Sequence, residues 1–184
     1  MRVLVHFAEG FEEIEALAVV DILRRAGIET ATVSVTGDKV VGSTRNIKVV
    51  CDLLFEEADY SKADMIVLPG GMPGTKNLDA HIGLKGKIEQ FYNDKKWLAA
   101  ICAAPMVYGK MGLLQGERAI CYPGVETELK GAEIVKEEVV VSGKFITSMG
   151  PGTAMAFGYK IVEILQVKES ADKLKKAMIY MALE

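Results

Sequence analysis

Thiols, imidazoles and an excess of either charge are all scarce in this chain. Its three cysteines, Cys51, Cys102 and Cys121, are odd in number, far apart and without a CxxC pair. Neither a disulfide framework nor a zinc site is suggested, and no metal is expected. The two histidines, His6 and His81, give no clear Cys–His dyad. With 22 basic against 25 acidic residues the net charge is −3, which provides no field for gripping nucleic acid or anionic lipid. A small or neutral partner is expected instead. Long apolar runs are missing too. The uncharged stretches Trp97–Gly109 and Phe145–Tyr159 fall short of the ~18 residues a spanning helix needs. Only six uncharged residues separate Arg2 from Glu9, too few for the apolar region of a secretory signal. A cytoplasmic protein without membrane association is the expectation.

What is present fits one domain over residues 1–184, since half the residues are apolar and no repeat, low-complexity tract or linker interrupts them. Arg2–Phe7 is a near-continuous apolar run, as in a strand buried on both faces. Glu12–Ala26 carries a helical stripe that stops before Gly27. Glu29–Val35 alternates as a strand, and Val40–Cys51 reads as a strand pair turning near Thr44-Arg45-Asn46. Asp64–Leu68 and Trp97–Ile101 are short buried strands, followed by helices over Leu84–Asn93 and Ala103–Met111. Arg118–Cys121, Val139–Ser142 and Lys144–Thr147 are further strands. Helices over Thr153–Leu165 and Ser170–Ala182 close the chain, with Thr153 and Ser170 as N-caps. This order predicts an α/β sandwich: a mainly parallel sheet with helices on both faces.

Cys102 is the sharpest chemical feature. It stands where a strand passes directly into a helix, flanked by alanines that permit a tight turn, the arrangement of a nucleophile elbow. A thiol at a helix N-terminus is expected to have a lowered pKa. Cys51 and Cys121 read as packing residues. On the first helix Glu15 shares a stripe with Ala18, Val19, Ile22 and Ala26, so its carboxyl is expected to be desolvated and raised in pKa. The opposite reading, that all four early glutamates stay in water at the helix N-terminus, also stands at this point. Gly70-Gly71-Met72-Pro73-Gly74 follows a buried strand, and its bare N–H groups suit an oxyanion, although glycine turns often serve backbone geometry alone. It matches neither the dinucleotide fingerprint nor a phosphate loop, so no cofactor is expected. His6 reads as a core or pocket-edge side chain and His81 as part of a polar loop.

Four segments together resemble the ThiJ/PfpI superfamily and its DJ-one subgroup. They are AEGFEEIEALAVVDILRRAG at 8–27, VLPGGMPGTKNL at 67–78, AAICAAP at 99–105 and TSMGPGT at 147–153. The resemblance implies a flavodoxin-like fold, a homodimer, Cys102 as the reactive cysteine and Glu15 as its carboxyl partner. It implies further that the backbone N–H groups of Gly71 and Ala103 face the sulfur. Arg45, Gly70, Tyr122 and Thr153 are then residues of the pocket or dimer interface. The activities it implies are removal of early methylglyoxal or glyoxal adducts, conversion of methylglyoxal to lactate, and stress sensing through Cys102 oxidation. Two departures stand out. Ala103 and Tyr122 occupy positions where many relatives carry histidine, which disfavours a peptidase, and a phenol is a poor base near neutrality. Met149 stands where close relatives often carry arginine.

Overall fold

The computed structural model describes residues 1–180. In chain order the elements are β1 (Arg2–Phe7), α1 (Glu13–Arg25), β2 (Glu29–Ser34), β3 (Val40–Gly42), β4 (Lys48–Val50), β5 (Leu53–Leu54) and β6 (Met65–Leu68). These are followed by α2 (Gly74–Ala80), α3 (Ile82–Asn93), β7 (Trp97–Ile101), α4 (Pro105–Lys110), β8 (Arg118–Ala119) and β9 (Glu133–Ile134). The chain continues through β10 (Val139–Ser142), β11 (Phe145–Ser148), α5 (Ala154–Leu165) and α6 (Lys168–Ala177). The central sheet has seven strands in the order β10-β11-β7-β6-β1-β2-β5. Every pairing is parallel except β10 with β11, a hairpin turned at Gly143.

Alternation along β1 shows how the sheet divides its two cores. Val3, Val5 and Phe7 point into the layer shared with α1 and α5, where Val19, Ile22, Leu23, Phe157 and Ile161 are buried. Leu4 and Ala8 point into the opposite layer with Leu78, Leu84, Ile88 and Phe91 of α2 and α3. Each fully buried aliphatic side chain contributes about 2 kcal/mol. Because both faces are dry, the strands can be apolar without interruption. The strands β1, β6 and β7 end together, so the turns that follow them meet at one edge. That edge, beyond the carboxyl ends of parallel strands, is where this architecture forms a crevice. Among the described residues no helix is long and apolar enough to cross a membrane.

Several local expectations differ from the structure. The strand pair within residues 40–51 forms as β3 and β4, but as a separate two-stranded unit. The strand expected at Arg118–Cys121 shortens to β8, pairs with β9 and stays outside the central sheet. Its backbone is held instead by side-chain hydroxyls: Arg118 N–H donates to Ser142 Oγ and Ile120 N–H to Thr147 Oγ1. Ser170 is not an N-cap. α6 starts earlier, after extended Val167, and Ser170 lies inside it. Thr153 precedes α5 but makes no side-chain cap, because its hydroxyl is engaged by the preceding turn. α2 was not anticipated, since its opening Gly74 is a poor helix former. Ala182 lies outside the described residues.

Candidate active site

β7 delivers Cys102 into the crevice through a backbone twist that the composition conceals. Its φ is 64°, in the left-handed region that a residue with a Cβ enters at a cost of about 1–3 kcal/mol. Three backbone bonds hold it there. Cys102 N–H donates to the Ser148 carbonyl at 2.9 Å, the Cys102 carbonyl accepts from Tyr122 N–H at 2.8 Å, and Ala104 N–H closes the turn on Ile101 at 3.0 Å. Small residues at 103 and 104 leave room for that geometry, and Pro105 then starts the short helix α4 where its missing N–H is harmless.

Glu15 reaches the same place from α1. Its residue is fully buried, and Oε2 accepts the Gly70 N–H at 2.8 Å. Oε1 is buried without a hydrogen-bond partner. Of the four early glutamates only Glu15 is placed in this way. Glu12 caps α1 by accepting the Glu15 N–H, Glu13 accepts the Thr44 hydroxyl at the crevice rim, and Glu9 accepts the Gly42 N–H on the outer hairpin. Gly70 has to be glycine for the pair to form. A Cβ there would lie 2.6 Å from Cys102 Cβ and 2.7 Å from Glu15 Oε2. Gly71 adopts φ +92°, and a Cβ on it would stand 2.5 Å from the Glu12 nitrogen.

Burial governs the electrostatics of both groups. Desolvation pushes the Glu15 carboxyl from 4.5 up to about 7, assisted by the Glu12 charge and opposed by hydrogen bonds from Cys102 and Gly70. The Cys102 thiol is also pushed up, first by burial and then by the Glu15 charge and hydrogen bond. N–H groups of Gly71 and Ala103 draw it the other way. The expectation of a lowered thiol pKa is therefore overturned: α4 is one short helix, and its terminus is outweighed by burial beside a carboxylate. A negative charge on either group therefore disfavours a charge on the other. When Glu15 holds the proton, the repulsion disappears and the N–H donors of Gly71 and Ala103 favour sulfur as the anion.

The remaining candidates surround this pair without joining it. Arg45 lies on the β3–β4 turn, where its cation acts on the Glu13 carboxylate. Tyr122 follows the β8 segment and is half exposed, held beside Cys102 by its backbone rather than its phenol. Thr153 fastens the 150-turn, with Oγ1 accepting the Gly150 N–H, donating to the Gly150 carbonyl and lying 2.7 Å from Ser148 Oγ. Ser148 was not singled out from the sequence, yet its carbonyl holds Cys102 and its hydroxyl ties the 150-turn to Glu138. His6 is remote, buried on the opposite face of the sheet against Tyr60, and His81 caps α3 through Nδ1. Among the described residues no group of three His, Cys, Asp or Glu side chains is placed to hold a metal.

Residues 1–164 match the DJ-1/PfpI family. The Protein DJ-1 homolog B of Arabidopsis thaliana is 37% identical over 180 residues, covering 97% of this chain but 41% of its own length, so the chain spans less than half of that relative. A Schizosaccharomyces pombe protein named glutathione-independent glyoxalase DJ-1 is 30% identical, with 97% of this chain and 98% of that protein covered. The solved structure of oxidized Toxoplasma gondii DJ-1 superposes with a TM-score of 0.93 at 37% identity, covering 99% of each chain. The match along the sequence and the seven-stranded, mainly parallel sheet agree on one assignment: the chain belongs to the DJ-1/PfpI family.

Proposed function

We propose that this chain is a cofactor-independent cysteine enzyme that acts on methylglyoxal, glyoxal or their early adducts, with Cys102 as nucleophile. The observation that carries the reading is the partnerless Oε1 of buried Glu15, on a carboxyl with a pKa of about 7, beside a thiol held at φ 64°. A carboxyl half-protonated near neutrality is populated both in the form that takes a proton and in the form that returns one. The S. pombe relative's name supports the same chemistry at 30% identity.

The steps balance without an external electron acceptor. Glu15 takes the thiol proton, and sulfur forms a bond to the aldehyde carbon of methylglyoxal while the carbonyl electrons move to oxygen. The N–H groups of Gly71 and Ala103 hold that oxyanion until it is protonated, giving a hemithioacetal. Glu15 then moves a proton from the former aldehyde carbon to its neighbour. That carbon is oxidised to a thioester as the adjacent ketone is reduced to an alcohol. Water cleaves the lactoyl thioester, and the products are lactate and the free thiol. An early adduct enters the same sequence once its amine or thiol leaves with a proton and the aldehyde carbonyl re-forms for the sulfur to attack.

A second reading rests on the donors around the sulfur, the N–H groups of Gly71 and Ala103 and a Glu15 carboxyl pushed up to about 7. In it a peroxide oxidises Cys102 to sulfenic and then sulfinic acid, whose oxygens take the N–H donors and a protonated Glu15. Lactate formation from methylglyoxal separates the two. Turnover by the wild type that is lost in Cys102→Ser, with circular dichroism unchanged, supports the enzyme. A wild type as inactive as Cys102→Ser ends that reading and leaves redox sensing.

A homodimer belongs to the same proposal. Ile14 and Leu17 are exposed one turn apart on α1, and Ile47 and Val50 are exposed on the β3–β4 hairpin. Large apolar side chains grouped in this way suit a self-associating face. Light scattering that gives a monomer at micromolar protein removes it.

A further inference from the structure

A depression of about 260 Å³ is lined by Tyr122, Pro123, Met149 and the turn from Gly150 to Thr153, and its walls are almost wholly apolar. Its Tyr122 and Gly150 edge adjoins the Cys102 turn. Tyr122 is bonded by its backbone to the Cys102 carbonyl, and a side-chain carbon on Gly150 would lie 3.3 Å from the Tyr122 ring and 4.0 Å from Glu15 Oε1. Gly150 is thus the thin partition between this apolar wall and the partnerless carboxyl oxygen.

We infer that this wall is a subsite for the apolar substituent of an α-oxoaldehyde, and that it favours an aryl group over the methyl group of methylglyoxal. The inference rests on the cysteine–carbonyl reading above and specifies its substrate class. Three features carry it. The volume exceeds the ~150 Å³ that accommodates benzene in a protein cavity. Pro123 and Pro151 are rigid, so the wall is formed before the ligand arrives, and the Tyr122 ring offers an aromatic face. The hydroxyls of a sugar-derived substituent would be left unpaired against Met149 and the prolines, which is costly. A larger depression of about 450 Å³ lies elsewhere, among Glu137, Glu138, Lys160 and Glu163, and no cysteine lines it.

The test compares two alkylating mimics that differ only in this substituent, 2-chloroacetophenone and chloroacetone. With each, the Cys102 sulfur forms a bond to the chlorinated carbon and chloride leaves. Rate constants at Cys102 are read by intact-protein mass spectrometry, with Cys102→Ser protein as the background for Cys51 and Cys121. The aryl-to-methyl ratio is divided by that of glutathione, which removes intrinsic reactivity. The expected normalised ratio is about 10, or about 1.4 kcal/mol in favour of aryl. In folded Tyr122→Ala and Met149→Arg proteins it falls to within about twofold of unity. A wild-type ratio at or below unity overturns the inference, as it would if a second copy of the chain covered the wall. So does a Cys102 that neither reagent labels, or a ratio that survives both substitutions. A high ratio in a protein that turns over no methylglyoxal upholds the subsite while the enzyme reading fails.

Discussion

Two buried pairs of ionisable groups lie on opposite faces of the sheet, and the contrast between them shows what burial does and does not signify. On the α1 face Glu15 and Cys102 are both pushed up in pKa, chiefly by desolvation. On the other face His6 is fully buried with Nε2 at 2.9 Å from the Tyr60 hydroxyl. Desolvation pushes this imidazole from 6.5 down to about 3 and raises the Tyr60 phenol. Perturbation alone therefore cannot mark a site here. The His6–Tyr60 pair is closed by further rings, Phe55 tilted and Phe91 edge-on against Tyr60, with His6 inside the regular strand β1. Only Glu15–Cys102 combines a left-handed backbone, glycine N–H donors and an unpaired acceptor at an open crevice. The first pair has the features the proposed chemistry needs, and the second those of a packed core.

The largest effect that would test this contrast is on turnover. Cys102→Ser should lower lactate production from methylglyoxal by ~10³-fold or more, because the hydroxyl keeps the strained turn but is a far weaker nucleophile. Its far-ultraviolet circular dichroism should match wild type. Glu15→Gln should lower kcat by ~10²- to 10⁴-fold, since the amide can still accept the Gly70 N–H but can neither take nor return a proton. A Glu15→Gln enzyme with wild-type kcat would remove the carboxyl from the mechanism.

The two pairs should also oppose one another in stability. Between pH 4.5 and about 7 the folded chain keeps a proton on Glu15 that the unfolded chain has released, so stability falls as pH rises, by up to about 3 kcal/mol. Between about pH 3 and 6.5 the unfolded chain protonates His6 while the folded chain excludes that proton, so stability rises with pH. From pH 4.5 to 6.5 the slopes cancel in the wild type. The lowered carboxylates Glu13 and Asp52 act below that window. Urea midpoints measured across it should rise with pH in Glu15→Gln and fall with pH in His6→Asn. If Glu15→Gln leaves the wild-type profile unchanged, the carboxyl is not held protonated by the fold.

Much of this arrangement was legible in the sequence, for identifiable reasons. β1, β6 and β7 announce themselves because strands dry on both faces tolerate uninterrupted Val, Ile and Leu. Glu15 was visible because a charge on an apolar helical stripe must enter the core, and Cys102 because alanines on both sides permit a sharp turn. The direction of the thiol's shift was not legible. It depends first on burial in the folded crevice and then on the Glu15 carboxylate brought from a distant segment, neither of which a local window contains. Thr153 and Ser170 looked like caps because hydroxyl residues usually serve that role, but a competing bond to Gly150 and an earlier helix start took precedence. β8 failed as a central strand because β10 already occupies the sheet edge next to β11. The resemblance carried by the four motif segments supplied the family, and the match over residues 1–164 agrees with it.

The smallest effect sharpens the contrast from the packing side. Tyr60→Phe removes the hydroxyl that partners His6 Nε2 and, with Nδ1 already unpartnered, adds a second unsatisfied imidazole nitrogen. The loss should be about 1–2 kcal/mol, read as a lower urea midpoint at neutral pH with an unchanged m-value. Because the ring persists, the contacts with Phe55 and Phe91 remain and little cavity opens. Lactate production should stay within about twofold of wild type, since nothing in the Cys102 turn depends on this pair. Replacing His6 by Phe in the same protein removes both unsatisfied nitrogens, and part of the lost stability should return. Its failure to return would mean that His6 holds a further partner in the core. A large fall in turnover from Tyr60→Phe alone would show that the two faces of the sheet are coupled through β1.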